Sequence, residues 1–135
     1  MARLIFVLDT NAISDLIKGN VAVRAHLNAH SADEICLCQP VYFESLRGLI
    51  WKKASTKTRT LEKLRATLNW LPLEDGDWQQ AAQLWANAVG RGKQLADVDL
   101  LIAAIALRLD ATVVPADDDF DALPVKRVNW REPPT

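Results

Sequence analysis

Only two cysteines occur in 135 residues, Cys36 and Cys38, and they stand two apart in one apolar run. Side chains two apart on a strand share a face, a poor geometry for bonding each other, and no second pair exists to complete a zinc site. They are expected as reduced core residues of a cytoplasmic protein. Histidine is as scarce: His26 and His30 are the whole complement. Their i,i+4 spacing would suit two metal ligands, but a third is lacking. Long apolar stretches are missing too. The run from Leu4 to Leu8 ends at Asp9, too short for a secretory core segment, and nothing approaches the ~18 apolar residues of a membrane span. Nor does one sign of charge prevail. Sixteen basic and 17 acidic residues leave a net charge of −1, so any nucleic-acid site must be local. Without repeats, low-complexity tracts or a Gly/Ser linker, residues 1–135 read as a single continuous domain.

What is present is a soluble, globular composition, 50% hydrophobic and 24% charged, in a chain long enough to bury a sizeable core. The apolar run ending at Leu8 predicts a buried strand. Thr10 and Asn11 are good helix caps, and Ile13, Leu16 and Ile17 follow at helical spacing until Gly19. A second helix is predicted from Val21 to about His30 and a strand from Ile35 to Cys38. Pro40 suits a first helical position ahead of a stripe of Val41, Phe43, Leu46, Leu49 and Ile50. The polar stretch Ser55 to Thr60 reads as a loop or a helix cap before a helix carrying Leu61, Leu64 and Leu68. Leu71-Pro72-Leu73 suggests an edge strand. A helix with Trp78, Ala81, Ala82, Trp85 and Val89 is closed by Gly90 and Gly92, and Asp97 to Leu109 is the strongest helix of the chain. Thr112 to Val114 and Val125 to Val128 complete the strands. This alternation implies a three-layer α/β/α sandwich around a mainly parallel central sheet.

Parallel sheets bind ligands at the carboxyl ends of their strands, which singles out the acids there. Asp9 follows the first strand, and Asp117 lies on the Asp117-Asp118-Asp119 loop after the strand ending at Val114. Glu44 lies one turn into the helix starting near Pro40, awkward among Val41, Phe43 and Leu46 unless it faces a polar cleft. Asp99 opens the Leu-Leu-Ile-Ala-Ala helix. Four carboxylates converging on one pocket call for Mg²⁺ or Mn²⁺, since they cannot all ionise without an offsetting charge. With both histidines on an early helix, metal-activated water is the economical nucleophile for phosphodiester chemistry. Each acid also has a structural reading. Asp9 suits a cap as well as a ligand, Asp97 is well placed as an N-cap, Asp99 would favour the helix dipole, and Asp118, Asp119 and Asp121 read as solvated loop charges.

Taken together, these segments resemble PIN domains. Phe6-Val7-Leu8-Asp9-Thr10-Asn11 resembles the opening motif, Glu44-Ser45-Leu46-Arg47-Gly48-Leu49 the E-L-x-x-G helix, and Asp99-Leu100-Leu101-Ile102-Ala103-Ala104-Ile105-Ala106 the D-x-x-I-A-A-x-A segment. Val113 to Phe120 resembles V-T-x-D-x-D-F, with Pro115 where the family often carries Thr or Ser, and the closing Val125 to Trp130 is also similar. Order, spacing and length are similar to the VapC-like ribonuclease toxins of toxin–antitoxin pairs. The resemblance implies catalytic acids at Asp9, Glu44, Asp99 and Asp117, with Asp9, Asp99 and Asp117 holding the metal. Thr10 or Asn11 would orient the first carboxylate or bind a metal water. It also implies an RNA substrate, a homodimer and a cognate antitoxin. The antitoxin would lay a helix into a groove formed by the first helices and the 41–65 region.

Basic residues cluster after Glu44 as Arg47, Lys52, Lys53, Lys57, Arg59, Lys63 and Arg65. They read equally as a solvated helical face or as a rim tracking an RNA backbone, with Lys52, Lys53, Lys57 and Arg59 as the RNA-binding candidates. Trp51 and Trp78 would suit base stacking, although core or dimer contacts are expected for most of the five tryptophans. A phosphoacceptor receiver domain is the rival class, but it wants an early acidic pair, absent here, and a lysine after its last strand. Lys126 lies inside that strand. A PIN-like scaffold that binds RNA or protein without cutting is a further alternative, disfavoured by the intact set of four acids.

Overall fold

The computed structural model describes residues 3–115 and 119–134. Strand and helix alternate in the order β1 (Ile5–Leu8), α1 (Thr10–Ile17), α2 (Val21–Ala29), β2 (Glu34–Cys38), α3 (Gln39–Trp51) and α4 (Ser55–Thr67). There follow β3 (Asn69–Leu71), α5 (Asp75–Gly90), α6 (Asp97–Leu109), β4 (Thr112–Val114), a 3-10 turn (Asp119–Ala122) and β5 (Lys126–Arg127). The five strands form one sheet in the order β3-β2-β1-β4-β5, every pairing parallel. The chain thus travels from β1 outward to β3, then returns to lay β4 on the other flank of β1. The return connection carries α5 and α6: α6 packs on β1 and β4, α5 packs on α6, and the right-handed rule for such crossovers puts this pair on the face opposite the earlier helices, as the expected α/β/α sandwich requires.

Covered on both faces, the central strands need no alternation: Val7, Leu8, Leu37, Cys38, Val113 and Val114 are all buried. Burial pushes the Cys36 thiol up to about 11 and the Cys38 thiol up to about 12, so these free cysteines are inert core residues. The Ile102–Ala106 stretch of α6 is buried throughout, and its small alanines let the helix lie close to β1 and β4. At the chain's end Trp130 sits 2% exposed, beside Phe6 of β1 at 5.2 Å and lying across the rings of His26 and His30 at 5.4 and 5.5 Å. The two histidines of α2 and its cap therefore pack and hydrogen-bond: His26 Nε2 meets the Glu132 carbonyl and His30 Nδ1 meets Asp33 Oδ2.

Several local expectations are corrected. Helix α4 begins at Ser55, so the polar stretch to Thr60 is helical; Thr58 and Thr60 donate their hydroxyls to carbonyls four residues back, and the buried Leu61 anchors the helix. Asp9, not Thr10 or Asn11, caps α1. Asp97 is no cap either: Ala96 holds that position in extended geometry, its carbonyl accepts from the Leu100 N–H, and Asp97 is the exposed first residue of α6. Of the tryptophans, Trp130 is in the core and Trp70 half-buried, whereas Trp51, Trp78 and Trp85 are exposed, as are Phe43 and Ile50 of the expected α3 stripe. The Arg47 guanidinium lies over the Phe43 ring at 5.1 Å. Among the described residues, no helix is long and apolar enough to cross a membrane.

Candidate active site

Reversal of strand order opens a crevice between β1 and β4 at their carboxyl ends. Register brings Leu8 beside Val114, and the Asp9 N–H donates to the Val114 carbonyl at 3.2 Å. Asp9 is therefore the first residue beyond the sheet edge at the switch point. Its extended backbone starts α1, its Oδ1 accepts the Ala12 N–H at 2.7 Å, and the residue is only 4% exposed. The two readings of Asp9, cap and site residue, are compatible: one oxygen secures the helix while the carboxylate stays fixed at the sheet edge.

Two helices bring further carboxylates toward this edge. Helix α3 starts directly from the carboxyl end of β2 with Pro40 near its first position, which sets Glu44 one turn in, half-buried and paired with Arg47 at 3.3 Å. At the other flank, Arg91 at the end of α5 donates from Nη2 to the Ala122 carbonyl at 2.9 Å, tying it to the turn beyond β4. Helix α6 starts after the short loop that follows and packs on β1, β4, α3 and that turn, carrying half-buried Asp99 as its third residue. Asp97, two residues earlier, is rotated by roughly 200° and instead borders a shallow groove with Trp78 and Trp85. Asp117 and Asp118 lie outside the described residues, and Asp121 is an exposed partner of Arg127. Among the described residues, no three acidic, histidine or cysteine side chains group together as a ready metal cage.

Beside Asp9 runs a cleft of about 250 Å³ between α1 and α3, closed at one end by the α3–α4 turn. Its lining includes Thr10, Asn11, Ser14 and Lys18 from α1 and its cap, Glu44, Ser45, Gly48 and Lys52 from α3 and its cap, and Lys57. The awkward Glu44 thus faces a polar cleft, as its apolar neighbours suggest. The Thr10 Oγ1 and Ser45 Oγ atoms in its walls are buried and make no hydrogen bond among the described residues. Buried hydroxyls ordinarily find a partner, so two orphans in one cleft point to a ligand or its water. The donors at this edge are carboxylates, hydroxyls and an amide, the hard oxygen set that fits Mg²⁺ or Mn²⁺; the thiols are in the sheet and the imidazoles are against Trp130. Lys53 and Arg59 line a different surface groove, with Leu49, Ile50 and Thr58.

Sequence reasoning did not single out Lys18, Ser14 or Ser45. It also missed the Arg108–Asp77 pair: Arg108 Nε and Nη2 donate to the buried Asp77 at 2.9 and 3.1 Å while Asp77 accepts the Glu74 N–H at 2.9 Å. Burial of Asp77 is sustained by that bidentate guanidinium, whose proton affinity it raises. Gly48 stands mid-helix in the cleft wall, and a Cβ there would meet nothing within 4 Å. Gly48→Ala should therefore raise stability by about 0.5–1 kcal/mol in urea unfolding, because alanine loses less backbone entropy and nothing clashes.

A parallel α/β domain with a buried aspartate at its switch point and an acid- and lysine-lined cleft beside it is what the comparisons with known proteins address. A family model described as PIN domain matches residues 6–126, and the chain belongs to the PIN-domain family. It is similar to ribonuclease VapC11 of Mycobacterium tuberculosis, 31% identical over 123 residues that cover 87% of this chain and 90% of the relative. Among solved structures it is similar to VapBC2 from Rickettsia felis bound to a promoter DNA fragment, with TM-score 0.87, 23% identity, and 94% and 99% of the two chains covered. FitAcB from Neisseria gonorrhoeae follows with TM-score 0.78, 26% identity, and 93% and 98% covered.

Proposed function

We propose that this chain is a metal-dependent endoribonuclease acting as the toxin of a toxin–antitoxin pair in the cytoplasm. The observation that carries the reading is the buried Asp9 at the β1–β4 switch point, next to a cleft with Glu44 and two hydroxyls that have no partner among the described residues. The similar mycobacterial proteins are named ribonucleases, which supports the reaction class. Asp9, Asp99 and Asp117 are assigned to hold Mg²⁺ or Mn²⁺, which when bound lowers the pKa of a water and offsets charge developing on phosphate. Thr10 and Asn11 orient what the Asp9 carboxylate holds, and Glu44 accepts the proton released by the attacking water. RNA is the substrate.

Similarity to VapBC and FitAcB complexes supports a cognate antitoxin as partner, and a second copy of this chain is assigned as the other. Exposed Trp78, Trp85 and Val89 on α5, with Phe43, Ile50 and Trp51 on α3, supply the apolar surface that such contacts bury.

Purified protein incubated with RNA in EDTA should leave it intact, and Mg²⁺ or Mn²⁺ added back should restore cleavage. Full cleavage in EDTA would refute the metal assignment; no cleavage under any metal would refute the nuclease reading.

A further inference from the structure

We propose that Lys18, Lys52 and Lys57, with the Ser45 hydroxyl, form a phosphate-binding track for the RNA strand leading away from the cut site. The proposal rests on the ribonuclease reading and adds which residues hold the strand and on which side of the site it runs. All three lysines are exposed and have no acidic partner among the described residues, as is also true of Lys53, Arg59 and Lys63; what sets them apart is that they line the same cleft. They come from three places in the sequence: the end of α1, the end of α3 and the first turns of α4. Three ammonium groups lining one end of a cleft suit an anionic strand running along it.

The cleft has a direction. Along α1 its lining runs Thr10, Asn11, Ser14, Ile17, Lys18, and along α3 it runs Glu44, Ser45, Gly48, Leu49, Lys52. Both helices therefore present oxygen groups at the end next to Asp9 and lysines at the far end, about 12 Å away for the eight residues of α1. Carboxylates gather where a metal and the cut phosphate meet, and ammonium groups follow where the next phosphates lie. The Ser45 Oγ, buried and without a partner among the described residues, is the neutral donor at the oxygen end of the α3 wall. Gly48 keeps the wall open midway, since no side chain projects there and its surroundings are empty to 4 Å.

This divides the basic stretch. Lys52 and Lys57 belong to the track, while Lys53 and Arg59 lie on another groove and Lys63 lies outside the cleft. Lys18 joins the track from a part of the chain with no basic cluster.

Two charge-matched triple variants test it, with binding of a mixed-sequence single-stranded RNA oligonucleotide measured in EDTA across a salt series. Lys18→Gln/Lys52→Gln/Lys57→Gln should weaken binding by about tenfold or more at low salt and flatten the log–log salt slope by about 2, or ~0.7 per phosphate contact. Lys53→Gln/Arg59→Gln/Lys63→Gln removes the same charge and should lose far less. Ser45→Ala should weaken binding and Ser45→Thr should restore it. Equal losses from the two triples, or parent-like binding by the first, would overturn the proposal. Binding in EDTA reads the track without cleavage, so failure of the nuclease reading would show separately, as RNA left intact once Mn²⁺ is supplied.

Discussion

Asp99→Asn is expected to abolish RNA cleavage, a fall on the order of 100-fold or more, while the protein melts within a few degrees of the parent. The substitution keeps size and hydrogen-bonding capacity and removes the charge assigned to hold the metal. Two effects on stability oppose each other. Asp99 lies in the first turn of α6, where a negative charge gains about 0.3–1 kcal/mol from the helix dipole. Against it, neutralisation removes whatever repulsion the metal-free site assigned to Asp9, Asp99 and Asp117 holds. Asp97 supplies the internal comparison. Exposed at the first position of α6, with Ala96 as cap, it contributes only its first-turn charge, so Asp97→Ala should cost no more than about 1 kcal/mol and keep activity. Cleavage and thermal melting of both variants check this. An essential Asp97 with a dispensable Asp99 would mean that α6 presents its opposite face to the site. Asp9 is the less clean test, because its carboxylate also caps α1 and its removal perturbs fold and site together.

Trp130→Ala should cost about 3–5 kcal/mol, a large share of the ~5–15 kcal/mol that holds a domain of this size together. Trp130 is 2% exposed and fills the space bounded by Phe6, His26 and His30. It is also the wedge by which the last residues fasten to β1 and α2. Beyond it, Arg131 Nε pairs with the buried Asp15 of α1 at 2.9 Å and the Glu132 carbonyl meets His26. Urea unfolding should show the loss, and Trp130→Phe should recover part of it by refilling the pocket. A loss under about 1 kcal/mol for Trp130→Ala would mean that the C-terminal segment adds little to the core.

Why some of this was readable in the residues and some was not follows from how each feature is built. Strand β1 is an apolar run stopped by an acid, and α6 is a long stretch of Leu, Ile and Ala; both announce themselves locally, β1 ending and α6 beginning at an acid of the site. Helix α4 does not. Its first six residues, Ser55 to Thr60, have no apolar period; their helicity follows from the packing of Leu61, while the threonine hydroxyls are satisfied by bonding back along the chain. The Asp97 cap was misread by one position because a serviceable cap residue stands beside the alanine whose backbone takes that role. Glu44 was legible as a polar residue out of place among apolar neighbours. Lys18 was not, since only the packing of α1 on α3 puts it on the same cleft as Lys52, and Arg108 lies 31 residues from the Asp77 it neutralises.

The central claim is that carboxylates at the β1–β4 edge hold a divalent cation, and direct binding of Mn²⁺ by titration calorimetry addresses it without reference to any RNA. The parent should bind the ion with a saturable heat, and Asp99→Asn should weaken that binding by about tenfold or more. Parent-like Mn²⁺ affinity in Asp99→Asn, or no saturable binding in the parent, would contradict it.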